Sequence, residues 1–541
     1  MTPAAGVEAA ARSGARARWR VVGVEAAGCA AAALMAVVVV AHLVHARAWF
    51  LFENGDAFTT ALITRSLAVG QPQDWAMSPV LFLPETAEYG LLSLLGQSAR
   101  TTLTLAALVT FVALYGAIRV AAGARGRVRR PVAGALTGFG FFCLLALLDG
   151  GPGRAGYQLP SMLASTTYYA GTVIATVLTV GLLRRVVDAT DPRRPRGPVR
   201  GTQVALALVA ALSTLTNPLY AGWATAPAAL VLAGLALRRR IARRDALTLG
   251  LVLVGATAVG GVARLPLGRW IVADDSDYVG FSHWTRSLAH YGGLVTQTAG
   301  SVAGIASLVL TVGAWLACVP LGVVLLRRGR PSAGAALVAL VAVVAPVVVL
   351  MAVVAAGASP ERYLQPWVFL PAVALTAVPG LVPEERRAGA PGTLPRESPA
   401  IAAIGIVSAL ALGLVVAAAF AVPRLAPAPA ADADVRCVVR WVDASGRTGA
   451  GQYWTVRAPK AEIADPRRLV QVDAHLGVYP WLTNRADRDG ADVTFLVSGP
   501  RTAPWVLPGG ATTADARRVD CGTYTIDDFG SRVLPLAPSR P

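Results

Sequence analysis

The stretch VVGVEAAGCAAAALMAVVVVAHLVHA (21–46) is almost wholly apolar, with Glu25 the one carboxylate in it. At 1.5 Å per helical residue it is long enough to cross ~30 Å of hydrocarbon. Arg12, Arg16, Arg18 and Arg20 precede it. A basic start and an apolar run resemble a signal peptide, but the run is long and lacks a convincing cleavage site, so it reads as a retained first span. Further apolar runs occupy 101–121, 132–149, 162–183, 202–217, 222–237, 246–264, 294–326, 333–357, 363–382 and 399–422. The expected fold class is an α-helical polytopic membrane protein with about eleven transmembrane helices. Residues 21–423 form the membrane domain, behind a basic cytoplasmic tail (1–20). The run 294–326 is long for one span and holds Pro320, so a tilt or kink is expected there.

The composition agrees with a membrane chain: 55% of 541 residues are hydrophobic. A net charge of +18 could suggest nucleic acid. The arginines instead bunch in short clusters, at 12–20, 119–130, 184–200, 238–244, 327–330 and 386–396, on every second connection. That is topological charge, and no nucleic-acid partner is expected. By this rule the N-terminus is cytoplasmic, the C-terminus lies outside, and the chain sits multi-pass in the plasma membrane. Lys460 is the only lysine, which we read as genomic composition bias.

Beyond a Pro/Ala-rich stretch read as an extended linker (424–434), the segments CVVRWV, YWTVRA, DVTFLV and CGTYTI alternate partly and are rich in β-branched and aromatic residues. They predict a small β-rich extracytoplasmic domain over 435–541 with a few helical turns. Cys437 and Cys521 bracket it, and outside the cytoplasm a disulfide between them is the natural pairing. Cys29, Cys143 and Cys318 lie in apolar runs and read as core residues.

The first outer loop (47–100) carries an acidic turn, Glu53-Asn54-Gly55-Asp56, then amphipathic segments near 57–69 and 85–97 that are expected to lie in the interface. With FENGDAF (52–58), and weaker echoes in TNPLYAGW (216–223) and ERYLQPW (361–367), the chain resembles the C-type (GT-C fold) membrane glycosyltransferases. The resemblance implies an acidic base in the first outer loop. It also implies a polyprenyl-phosphate sugar donor reached from the outer leaflet, and a saccharide or lipid acceptor of the cell envelope. Membrane lipids are the other expected partners. Asp56 is the expected catalytic base. Arg362 is the first candidate to hold the leaving phosphate and Arg65 the second, ahead of Arg154 and Arg286.

In the loop 268–293, Asp274, Asp275, Asp277, His283 and Trp284 are candidates to bind the acceptor, aromatics stacking on sugars and acids bonding hydroxyls. Asp149, at the outer end of the third span, could contribute. A divalent metal is the one cofactor considered, and no ligand cluster supports it; His42 and His45 share a helix face without a third ligand.

Each candidate has a plainer reading. Asp56 could cap the following helix, Arg362 could anchor the interface beside Tyr363 and Trp367, and Glu25 could snorkel to the inner surface. Trp441, Tyr453, Trp454, Tyr479 and Trp481 read first as the core of the C-terminal domain. The alternative functions are a transporter or lipid flippase, and a non-catalytic envelope-assembly protein of the same architecture. Few charges interrupt the spans and no two-fold repeat is visible, which disfavours transport.

Overall fold

A computed structural model describes residues 3–124, 127–128, 130–150, 157–190, 199–272, 280–329, 332–381 and 429–537. Among these, seven helices are long and apolar enough to cross a membrane: Val22–Ala46, Ala99–Ala121, Pro131–Leu148, Ala170–Ala189, Arg243–Val262, Val302–Arg327 and Ala333–Ala355. The runs 202–217, 222–237 and 363–382 are also helical but shorter, at Arg200–Thr216, Ala221–Leu237 and Pro366–Ala374, the last continued by a 3-10 helix at Leu375–Gly380. The eleventh expected span, 399–422, lies outside the described residues.

Two runs divide differently from expectation. The helix expected over 162–183 begins only at Ala170. Before it, Pro160–Ala164 is a short 3-10 turn, and Tyr169 takes the left-handed conformation at φ 69°. The run 294–326 is two helices, Trp284–Thr298 and Val302–Arg327. The Ser301 hydroxyl accepts the Gly304 N–H at 3.0 Å and so starts the second one.

Small residues let the bundle close up. A methyl group at Gly181 would come within 2.7 Å of the backbone of Ala121, and one at Gly134 within 2.3 Å of the Thr376 carbonyl. At the far ends of these helices Arg119 pairs with Glu25, Arg184 donates to the Ala121 carbonyl, and Arg127 donates to that of Asp188. Glu25, expected near the inner interface, thus has Arg119 as its partner there.

The 47–100 connection sits at the other end. Its two amphipathic segments are the helices Thr59–Ala68 and Leu83–Ser93. Between them, strand β1 (Trp75–Ala76) pairs antiparallel with a C-terminal strand, Trp75 opposite Asn484. That C-terminal region is a five-stranded mixed sheet. Its five strands are β2 (Thr448–Gln452), β3 (Leu469–Val472), β5 (Val493–Ser498), β6 (Arg517–Cys521) and β7 (Tyr524–Asp528), while β4 (Thr483–Asn484) is the separate partner of β1. The sheet order is β3-β2-β5-β7-β6, with β2 parallel to β3 and β5 and the rest antiparallel.

Two of the four expected strands are helical. CVVRWV lies in Pro429–Ser445 and YWTVRA in Tyr453–Glu462. The buried positions explain this. Val438 and Val442 are four residues apart and pack with Val456 on the sheet, while Tyr453 and Arg457, also four apart, turn from the second helix toward the 47–100 connection. The helix Pro429–Ser445 also takes up residues 429–434 of the stretch expected to be an extended linker, while 424–428 lie outside the described residues. DVTFLV forms β5, and CGTYTI the β6–β7 hairpin.

Cys437 and Cys521 form the expected disulfide, with Cα atoms 5.5 Å apart. It ties the first helix of this region to the end of β6 across a separation of 84 residues. Cys437→Ser is therefore expected to lower the stability of the sheet by about 2–4 kcal/mol. The check is earlier cleavage of the C-terminal region of the full chain by protease on heating, and unchanged protease resistance would refute it.

Candidate active site

FENGDAF folds as a 3-10 turn, Gly55–Phe58, leading into the Thr59–Ala68 helix. Asn54 provides the cap: its side-chain oxygen accepts the Asp56 N–H at 3.1 Å. The Asp56 carboxylate is thus released from the capping role and points to two phenols. Tyr453 donates to one oxygen, and Tyr168 donates to the other at 3.4 Å. Asn54 also donates to the Tyr168 hydroxyl at 2.8 Å. Burial, and next the Asp56 charge, push both phenols well above their ordinary pKa, so they remain protonated donors.

Tyr453 reaches Asp56 because Gly55 has no side chain. A methyl group there would lie 2.7 Å from the Tyr453 ring and 3.1 Å from its carbonyl oxygen. Arg457, one turn on, is fully buried and joins the two segments. It donates to the Gly55 carbonyl at 2.7 Å, the Thr59 hydroxyl at 2.8 Å, the Gln471 side chain at 2.9 Å and the Leu482 carbonyl. Lys460 on the same helix forms a buried pair with Asp487 at 2.7 Å, and Gln71 of the 47–100 connection also donates to that carboxylate.

Asp56 lines a cavity of 640 Å³. All three quoted motifs meet there: Asp56 from the first, Asn217, Pro218 and Leu219 from the second, and Glu361, Arg362 and Tyr363 from the third. Arg362 donates to the Tyr169 hydroxyl at 2.7 Å, and its guanidinium lies 5.6 and 5.7 Å from the Tyr168 and Tyr169 ring centres. Gln365 holds Tyr168 in place by donating to its carbonyl at 3.0 Å. Asn217, fully buried, donates to the Thr172 hydroxyl and accepts the Leu219 N–H, which fixes the turn.

The cavity also contains residues that the sequence reading missed. Arg47 is 5% exposed at the end of the first helix, with its guanidinium 5.2 Å from the Phe50 ring centre. An arginine on the arginine-poor side of a span was the available signal. Tyr168 and Tyr169 had been absorbed into an apolar run. Tyr453, Trp454, Tyr479, Trp481 and Leu482 come from the C-terminal region and line the cavity. Of the five C-terminal aromatics expected in that domain's core, Trp441 alone packs there, edge-on to Phe495 with ring centres 4.8 Å apart.

Other candidates lie elsewhere. Arg65 is turned to the C-terminal region, donating to the Ile463 and Ala464 carbonyls, and does not line the cavity. His283 and Trp284 start the Trp284–Thr298 helix away from the cavity, Trp284 being 51% exposed; His290 of the same loop does line it. Arg286 is exposed. Asp274, Asp275, Asp277 and Arg154 lie outside the described residues.

Asp149 is buried and accepts the Ser161 N–H at 2.8 Å. Burial pushes its carboxyl up to about 7, against the pull of Ser161 and Arg47. His42 bonds to the Asp149 carbonyl and His45 to that of Ala41. Among the described residues, no group of three or more His, Cys, Asp or Glu is placed to hold a metal ion.

No family model matches the sequence, and no curated protein matches it by sequence. Solved structures do match its fold. ArnT from Cupriavidus metallidurans, in a crystal structure bound to undecaprenyl phosphate, aligns over 92% of this chain and 98% of its own, with 13% identity and a TM-score of 0.50. The Archaeoglobus fulgidus oligosaccharyltransferase, crystallised in the apo form, aligns over 87% of this chain and 69% of its own, with 13% identity and a TM-score of 0.41. At this identity the first likeness is one of fold: the chain shares the architecture of ArnT, in keeping with the resemblance noted in the sequence. The second, weaker match adds nothing to that.

Proposed function

We propose that this chain is a membrane glycosyltransferase that moves a sugar from a polyprenyl-phosphate donor to an extracytoplasmic acceptor at the plasma membrane. The observation that carries this reading is the meeting of Asp56 and Arg362 on one aromatic-lined cavity between the bundle and the C-terminal sheet. The fold shared with ArnT, a protein crystallised with undecaprenyl phosphate, supports the choice of donor class.

Asp56 acts as the base. The carboxylate takes the proton of an acceptor hydroxyl, whose oxygen attacks the anomeric carbon of the donor sugar. The bond from that carbon to the phosphate oxygen breaks, and its electron pair stays on the lipid phosphate. Arg362, and Arg47 on the same cavity, neutralise the charge that builds there. Tyr168 and Tyr453 orient the carboxylate, and its remaining lone pairs face the acceptor. The tyrosines and tryptophans of the cavity offer stacking faces to the sugar ring. In this reading the 47–100 connection and the C-terminal sheet lie together on the outer face.

The test is turnover by the purified full chain in lipid nanodiscs. Undecaprenyl-phosphate-linked hexoses and pentoses are supplied with envelope glycan from a deletion strain, and released lipid phosphate is measured. Arg362→Gln is expected to lower turnover about 100-fold. If no donor is consumed and deletion leaves envelope glycans unchanged, the proposal fails.

A further inference from the structure

We infer that a second cavity, between the 47–100 connection and the C-terminal sheet, binds an anionic group of the acceptor, a phosphate or carboxylate carried on a sugar unit. This rests on the transferase reading above. The cavity has a volume of 270 Å³, with Phe52, Gly55 and Arg100 on one wall and Arg436, Trp454 and Arg501 on the other. That is just below the ~300–1,000 Å³ typical of small-molecule sites, so it suits one monomer-sized unit and not a lipid chain.

It backs directly onto the first cavity. Trp454 lines both, and Gly55 faces the second while its neighbour Asp56 faces the first. Arg501 stands over the ring of Trp49, 4.3 Å from its centre, and Trp49 belongs to the first cavity. An acceptor unit anchored here would lie one residue from the proposed base.

The charge is positive and is assembled by folding, not by a local run. Arg100, Arg436, Arg457 and Arg501 reach the cavity from separate places in the chain, against Glu53 and Glu462. Arg457 is committed to the four acceptors described above. Glu462 accepts the Ala99 N–H at 2.6 Å, which ties up part of its capacity. Arg100 lies over the Phe52 ring at 4.2 Å, as Arg501 does over Trp49. Stacking fixes the plane of a guanidinium, and a fixed planar fork matches the paired oxygens of phosphate or carboxylate. Low-dielectric walls around like charges concentrate anions at such a cleft.

The experiment uses the full chain in nanodiscs of uncharged lipid, in an Arg362→Gln background that removes a phosphate contact of the first cavity. Glucose 1-phosphate, glucuronate and neutral methyl glucoside are titrated by calorimetry. We expect at least one of the two anions to bind, methyl glucoside not to bind, and added salt to weaken the binding. Arg436→Gln and Arg501→Gln should each weaken it about tenfold, and Arg436→Lys should restore most of the loss. Arg436 is exposed, so its substitution spares the fold, and a thermal melt confirms that for each variant. If neither anion binds, or if Arg436→Gln and Arg501→Gln bind as the parent does, the inference is overturned. Donor turnover by the otherwise native chain is measured in parallel. Turnover without anion binding would remove the second cavity's role and leave the transferase standing.

Discussion

Asp56→Asn is expected to reduce sugar transfer by about 10³-fold while the protein still folds and inserts. General-base catalysis contributes roughly 10²–10⁴-fold, and an amide cannot take the acceptor proton. The substitution is nearly isosteric. Its oxygen can still accept from Tyr453 or Tyr168, which now bond to the carboxylate, and the turn keeps its Asn54 cap. A parallel Asn54→Ala variant separates the two roles. It removes the cap and the bond to Tyr168, costing about 1 kcal/mol of stability, but leaves the carboxylate in place. Loss of turnover in Asp56→Asn with an unchanged melting temperature supports the base. Full turnover would show that Asp56 does not act in transfer.

Arg457→Met is expected to destabilise the docked arrangement by about 3–5 kcal/mol. Methionine keeps the unbranched stem but lacks the guanidinium and donates nothing, so the Gly55 and Leu482 carbonyls, the Thr59 hydroxyl and the Gln471 side chain lose their shared donor. Each buried acceptor left unsatisfied costs about 1–3 kcal/mol, partly recovered by local relaxation. Arg457 also stands 4.8 Å from the Tyr453 ring centre, so its loss should free Tyr453 from Asp56 and lower turnover together with stability. The measurements are the thermal melt of the full chain and the rate at which protease releases the C-terminal region. A melt within a degree or two of the native protein would exclude this role for Arg457.

The apolar runs, the disulfide and the acidic turn were legible because each depends on local composition or on a pair of residues. The amphipathic segments near 57–69 and 85–97 were legible for the same reason. What failed were choices between periods and choices of partner. Val438 and Val442 fit a strand by residue type and a helix by spacing, and the available face of the sheet decided for the helix. Tyr168 and Tyr169 looked like part of a span until the left-handed backbone at Tyr169 ended it. Arg362 ranks ahead of Arg65 in sequence, but no local pattern shows what either one meets. The carbonyls of Ile463 and Ala464 engage one, while Tyr169 directs the other to the cavity. No local pattern could have shown that four C-terminal aromatics leave their own domain's core to line a cavity with Asp56.

The pairing of Asp56 with Tyr453 also bears on how the protein is made. The two residues are 397 positions apart in the chain. At roughly 5–20 residues per second, ribosomes need on the order of 20–80 s to go from one to the other. Throughout that interval the nascent polypeptide has its carboxylate but not Tyr453, Arg457, Trp454 or Trp481. Competence would then arrive late in biogenesis, after the C-terminal sheet has been delivered and docked, so translation products that stop before it would reside in the bilayer without chemical consequence for its lipids.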